Sequence, residues 1–171
     1  MWRLIDFSPF FALGIAARFG LDAAERFYVA ALVAFAAGLA SVVRGRRVNP
    51  LITGALLWFP FVAAAYLAGV GTAGQLEEPL LFAFILAVGL YETIANPRGF
   101  VDAVHADRAA VRRLSLPLIL ATIAAFALSY LLRGDIALAG VLPYALLFLA
   151  QAWLRRKLAA LPSPAVQSSL S

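Results

Sequence analysis

The strongest candidate for chemistry is one acidic residue inside an apolar segment. Glu92 lies near the end of the apolar run 79–95, with Tyr91 beside it and Asn96 one helical turn further along the same face. An ionisable group inside a membrane segment is costly and often functional. One interpretation is therefore a proton- or cation-linked site formed by Glu92, Tyr91 and Asn96.

Glu92 also has a structural interpretation. Its position near the end of the run places it within reach of lipid headgroups and of Arg44 or Arg98. An ion pair with either arginine would offset the cost of the charge without any catalytic or transport role. The position in the run favours this second interpretation.

The other ionisable residues do not form a recognisable active site. His105 has Asp102 and Asp107 near it, but this spacing is not typical of metal ligands. Glu77 and Glu78 are adjacent, so on a helix they point apart and cannot form a facing acid/base pair. We expect them to be surface charges that help to set the membrane topology. The chain has no cysteine, no nucleophile motif and no phosphate-binding glycine loop. We predict no enzyme, and no catalytic residue, metal or cofactor.

Composition and hydropathy predict that these residues lie on or between membrane-spanning helices. The chain has 171 residues, of which 64% are hydrophobic and 13% charged, whereas soluble domains are about half apolar and about a quarter charged. Apolar runs long enough to cross a hydrocarbon core of about 30 Å occur five times. They are 27–43, 51–70, 79–95, 114–132 and 136–154. The predicted fold is an all-α, polytopic membrane bundle with five transmembrane helices.

Two shorter pieces complete the predicted organisation. The run 7–17 would reach only about 16 Å as a helix, so we expect an interfacial or re-entrant helix packed beside the bundle. Residues 1–160 form a single domain. The Pro- and Ser-rich segment 161–171 is predicted to be a disordered tail.

Basic residues predict the orientation in the membrane. Ten follow the first, third and fifth runs, against four on the opposite side. The ten are Arg44, Arg46, Arg47, Arg98, Arg108, Arg112, Arg113, Arg155, Arg156 and Lys157. Since positive loops stay in the cytoplasm, the N-terminus is predicted outside the cytoplasm and the C-terminus inside it. Clusters set between apolar runs do not resemble a nucleic-acid-binding face, so no nucleic-acid partner is predicted.

Five of these arginines are predicted to form a cytoplasmic basic face that meets anionic lipid headgroups in the bilayer. They are Arg44, Arg46, Arg47, Arg112 and Arg113. The connection 98–113 between the third and fourth runs has apolar residues at Phe100, Val101 and Val104. This spacing predicts a short amphipathic helix on the cytoplasmic surface.

Small residues recur at four-residue spacing in two runs. Ala30, Ala34 and Gly38 form one stripe. Ala121, Ala125 and Ser129 form the other. Such stripes allow close helix contact in lipid, although the high alanine content would also produce them by chance.

Two stretches carry a family resemblance. The N-terminal "LIDFSPFFALG" is similar, through Asp6, Phe7 and Pro9, to an Asp-Phe-x-Pro signature, and "VVRGRRVNPLITG" looks like a basic turn after a first span. The chain thus resembles the bacterial intracellular septation protein A family, also called inner membrane-spanning protein. A related family of small uncharacterised bacterial membrane proteins has a similar basic turn. The tryptophan-containing segment of the septation family is replaced here by "ADRAAVRRLSLPL".

The resemblance implies an inner-membrane protein that supports septation and envelope synthesis through contacts with division and elongation proteins, without an enzymatic reaction. Two alternatives remain open from the residues. One is a small transporter or channel with Glu92 in its pathway, and the other is an accessory subunit of a larger membrane complex. Either a single chain or an oligomer is compatible with the sequence.

Overall fold

The computed structural model describes residues 7–45, 47–70, 77–103, 107–133, 135 and 137–160. Its helices are α1 (Ser8–Arg18), α2 (Ala23–Val43), α3 (Pro50–Leu67), α4 (Glu77–Ala95), α5 (Arg108–Leu131) and α6 (Leu142–Ala159). A π-helical turn, Ala137–Val141, leads into α6. Five of the helices are long and apolar enough to cross a membrane, and α1 is shorter. The predicted all-α class with five spans is confirmed; the tail 161–171 lies outside the described residues.

Side-chain caps set where several helices begin. Asp22 and Glu25 form a reciprocal capping box at the start of α2. Asn49 accepts a hydrogen bond from the Leu51 amide at the start of α3. Asp107 accepts one from the Ala110 amide, so α5 begins at Arg108. These caps satisfy amides that have no partner within the helix.

The start of α5 differs from the sequence prediction for 98–113. Arg108, Arg112 and Arg113 belong to the first turns of α5 and not to a loop. Residues 97–102 form turns, and Phe100 and Val101 are fully buried. The predicted amphipathic surface helix is therefore wrong for the described residues, because its apolar side chains are inserted into the bundle.

Consecutive helices pack against each other as hairpins. Helices α3 and α4 approach each other closely at Gly54, where an added Cβ would lie 2.6 Å from the Ile85 Cα. Ala30 and Ala34 are buried on α2, but Gly38 has nothing near its Cβ position. On α5, Ala125 and Ser129 are buried. Small residues therefore allow close helix contact at only some positions of the two predicted stripes.

Aromatic rings connect α1 to the rest of the bundle. The Phe10 ring lies 5.0 Å from the Phe59 ring of α3 and 5.2 Å from the Tyr144 ring of α6. Phe7 lies 5.4 Å from Phe148, also on α6. Rings at these separations pack favourably in tilted and edge-on geometries. The short first helix is thus held against two spans by its phenylalanines.

Candidate functional site at the basic end of the bundle

Four charged side chains meet at one end of the bundle, which we call the basic end: the last turns of α2, α4 and α6 and the first turns of α3 and α5. The Arg47 guanidinium donates to Glu92 Oε2 at 2.5 Å. Its Nε lies 4.0 Å from Asp102 Oδ1. Asp102 Oδ2 accepts from Arg155 at 2.7 Å. We call these four residues the charge network.

The charge network is partly buried and joins distant parts of the chain. The two carboxylate side chains are each 18% exposed, and the arginine side chains are 33% and 29% exposed. It links the connection before α3, the last turn of α4, the 97–102 turn and the end of α6. Because solvent screening is reduced, such pairs interact more strongly than fully exposed ones. The network therefore acts as an ionic clamp across the basic end.

A buried amide extends this clamp inward. Gln151 is 2% exposed, and its Nε2 donates to the Phe100 carbonyl at 2.8 Å. Its Oε1 accepts from Asn49 Nδ2 at 2.7 Å. Arg155, one turn further along α6, donates through Nε to the Val101 carbonyl at 2.8 Å. The non-helical backbone of the turn thus has the partners that a buried backbone requires.

Two glycines make room for the buried turn. Gly99 has φ +56°, and a Cβ there would lie 2.6 Å from Val111. At Gly89 on α4, a Cβ would lie 2.6 Å from the Phe100 ring. The Phe100 amide donates to Ser115 Oγ at 3.2 Å. The turn is therefore fixed on α4 and α5 as well as on α6.

The three residues of the predicted ionisable site have separate partners. Glu92 pairs with Arg47, and not with Arg44 or Arg98 as the sequence had suggested. Tyr91 is 67% exposed, which places its ring on the outside of the bundle. Asn96 Oδ1 accepts from the Arg98 backbone amide at 3.1 Å. The structure thus supports an ion-paired Glu92 but does not assemble Glu92, Tyr91 and Asn96 into one site.

The predicted basic face is divided between two environments. Arg47 belongs to the charge network, whereas Arg44, at the end of α2, is outside that network; both residues are exposed. Arg112 and Arg113 are exposed on the first turns of α5. Arg46 lies outside the described residues. The five arginines therefore do not form one uniform surface.

The family-like motif lies at the start of α1. Phe7 contacts Phe148, and Pro9, at the first turn of the helix, is fully buried. Asp6 lies outside the described residues. The two described motif residues thus serve helix packing.

Several residues of the basic end were not among the predicted site residues, although Arg155 was counted among the cytoplasmic positive charges. They are Asn49, Asp102, Gln151 and Arg155. A usable signal was present, because Gln151 is an amide in an otherwise apolar run and Arg155 follows it one turn later on the same face. Asp102 had been considered only as a neighbour of His105, which lies outside the described residues.

The opposite end contains a second polar contact. Tyr66, at the end of α3, donates a hydrogen bond to Glu77, at the start of α4. Glu77 was predicted to be only a surface and topology charge, and this is wrong because the carboxylate is half-buried and joins two spans. The contact fastens the α3–α4 hairpin at the end away from the charge network.

The chemistry available at the basic end is that of ion pairing and hydrogen bonding. Both carboxylates of the network have guanidinium partners. Within the described ranges, no three His, Asp or Glu side chains lie close enough together to hold a metal ion. What the arrangement provides is a cross-link between chain segments that are far apart in sequence.

Five apolar helices with a polar clamp at one end define a multi-pass α-helical membrane protein. Comparison with known proteins gives no match to a family model, a curated protein or a solved structure. The class of the protein therefore follows from its helices alone. The septation-family resemblance stays a prediction.

Proposed function

We propose that this chain is a non-enzymatic bacterial inner-membrane protein that supports septation and envelope maintenance through contacts with other membrane proteins. One observation carries the proposal: the inward-facing charges of the basic end are engaged with each other in the charge network. Outside the network, exposed positive side chains surround this end of the bundle. They are Arg44, Arg108, Arg112, Arg113, Arg156 and Lys157, which we call the basic rim.

Packing inside the bundle supports a contact role over a transport role. Phe59, Phe82 and Ile85 are fully buried between the helices. Glu92, the residue on which a pathway would depend, is held by Arg47 at 2.5 Å. A transporter would have to break this pair and move the buried rings. Septation and envelope maintenance are proposed as the biological role because the N-terminal motif and the basic turn resemble those of the septation family.

Deletion and complementation test the proposal. We expect cells without this protein to form fewer septa and to grow longer, and the wild-type chain to restore normal length. A variant with Arg108→Glu and Arg156→Glu reverses two exposed charges of the basic rim. It should insert into the membrane but fail to restore septation, because a partner that recognises the rim would be repelled. Cell length and septum frequency, measured by microscopy, give the result.

The matched control reverses two exposed charges at the opposite end, Arg18→Glu and Arg133→Glu, and should restore septation. Full rescue by the rim variant would exclude contact through the rim. Unchanged septation after deletion would remove the proposed role. Normal septation together with loss of uptake or efflux of a solute would favour the transporter instead. A stoichiometric partner that copurifies with the chain would indicate an accessory subunit.

The proposed orientation has its own test, since the natural chain contains no cysteine. Val70 follows α3 at the opposite end, and Ala160 follows α6 at the basic end; both are exposed. With the basic end in the cytoplasm, an impermeant maleimide should label Val70→Cys in intact spheroplasts and Ala160→Cys only after lysis. The cysteine-free parent is the blank. Labelling of Ala160→Cys in intact spheroplasts would show that the orientation is reversed.

A further inference from the structure

A groove at the basic end lies between α4 and α5. Its volume is about 430 Å³, and it opens to the outside of the bundle. Thr93 and Ile94 of α4 line one wall, and Arg112, Arg113 and Leu116 of α5 line the other. None of the four residues of the charge network lines this groove, although Glu92 of the network directly precedes Thr93 on α4.

Two positive charges at the groove lack a carboxylate partner among the described residues. The ion pairs of that part of the chain join Arg47, Glu92, Asp102 and Arg155. Arg112 instead donates one N–H to the Ile94 carbonyl at 3.2 Å, which holds its guanidinium across the groove. A guanidinium has five N–H donors in a planar fork that matches phosphate oxygens. The groove therefore offers donors and charge suited to a phosphate.

Below the arginines, the walls are apolar. Ile94 is 68% exposed and Leu116 is 56% exposed. Further into the span, Leu90 of α4 and Leu120 of α5 are also exposed. Both helices are long and apolar enough to cross a membrane, so this sequence of charge followed by apolar surface runs from headgroup level into hydrocarbon.

We propose that the groove binds one anionic phospholipid, with its phosphate on Arg112 and Arg113 and an acyl chain along Ile94 and Leu116. A phospholipid carries phosphate and acyl chain in the same order as the groove presents arginine and apolar wall. A free phosphate would use the arginines but leave the apolar walls uncovered. This proposal does not depend on a role in septation.

Native mass spectrometry of the full chain, released from nanodiscs, tests the proposal. The nanodiscs contain phosphatidylcholine with an equal fraction of phosphatidylglycerol. We expect the wild type to retain one phosphatidylglycerol. Retention should fall about 30-fold when Arg112→Gln and Arg113→Gln are combined, since each arginine near an anionic surface contributes about fivefold. Ile94→Trp, which fills the groove and leaves both charges in place, should also remove the lipid.

The matched control neutralises two other exposed arginines of the basic end, Arg108→Gln and Arg156→Gln, and should keep the lipid. Equal loss of phosphatidylglycerol from this control would show that anionic lipid is attracted to the basic end in general. That result would overturn the proposed site. Equal retention of phosphatidylcholine would overturn the role of the arginines. Displacement of the lipid by millimolar inorganic phosphate, or no effect of Ile94→Trp, would indicate a phosphate site without lipid. Circular dichroism establishes that each variant is folded.

Discussion

Gly54→Leu should lower the unfolding temperature of the detergent-solubilised protein by about 6 to 12 °C. A Cβ at this position would lie 2.6 Å from the Cα and 2.9 Å from the backbone N of Ile85. Backbone atoms of a packed helix cannot rotate aside as a side chain can, so α3 and α4 must separate. Overpacking of this kind costs about 3 kcal/mol, at the upper end of the usual range.

The control for this prediction is Gly38→Leu, because Gly38 is also inside a transmembrane helix and has nothing within 4 Å of its Cβ position. Both changes add the same side chain and the same gain in helix propensity. We expect Gly38→Leu to leave the unfolding temperature unchanged or slightly raised. Equal unfolding temperatures for the two variants would mean that the close α3–α4 contact does not exist.

Asp102→Asn should cost about 2 kcal/mol of unfolding free energy, between the values for an exposed ion pair and for a broken buried one. Asp102 has φ +55°, a conformation that asparagine tolerates, so the backbone is kept. What is lost is the negative charge between Arg155, at 2.7 Å, and Arg47, at 4.0 Å. The two guanidiniums are then left with no anion between them. Thermal unfolding in detergent should fall by about 4 to 8 °C.

Asp107→Asn is the matched control, because Asp107 is an exposed carboxylate that caps α5 and asparagine caps a helix equally well. Its effect should stay within about 0.5 kcal/mol. Adding Arg155→Gln to Asp102→Asn should destabilise less than the sum of the single changes, since the two side chains are direct partners. Strict additivity, or an Asp102→Asn variant as stable as the wild type, would contradict the clamp.

Some of the polar contacts at the basic end could be predicted from the sequence, and others could not. That Glu92 would pair with an arginine followed from the cost of an isolated charge in an apolar segment. Which arginine it meets did not follow, because Arg47 is 45 positions away in the chain and the choice depends on how α3 and α4 are rotated. Asp102 and Gln151 belong to the site because the turn between α4 and α5 lies inside the bundle, where both residues meet their partners.

The start of α5 shows a different kind of error. Hydropathy predicts a span that begins at 114, after the charges, but the helix begins at Arg108, where Asp107 caps it. A transmembrane helix can continue beyond the hydrocarbon, because its backbone bonds are internal and its arginines reach headgroups. Hydropathy therefore marks the membrane-embedded part of such a helix better than its ends.

Hydropathy along the chain was enough to predict a helical membrane protein with five long spans, because apolar segments of that length require internally hydrogen-bonded helices in lipid. The sequence also predicted that most positive charge collects at one end. The burial of Phe100 and Val101 could not be predicted from the sequence, since it depends on space left by Gly89 and Gly99 on different parts of the chain. Contacts between distant segments depend on helix rotation and approach, which a pattern of neighbouring residues does not contain.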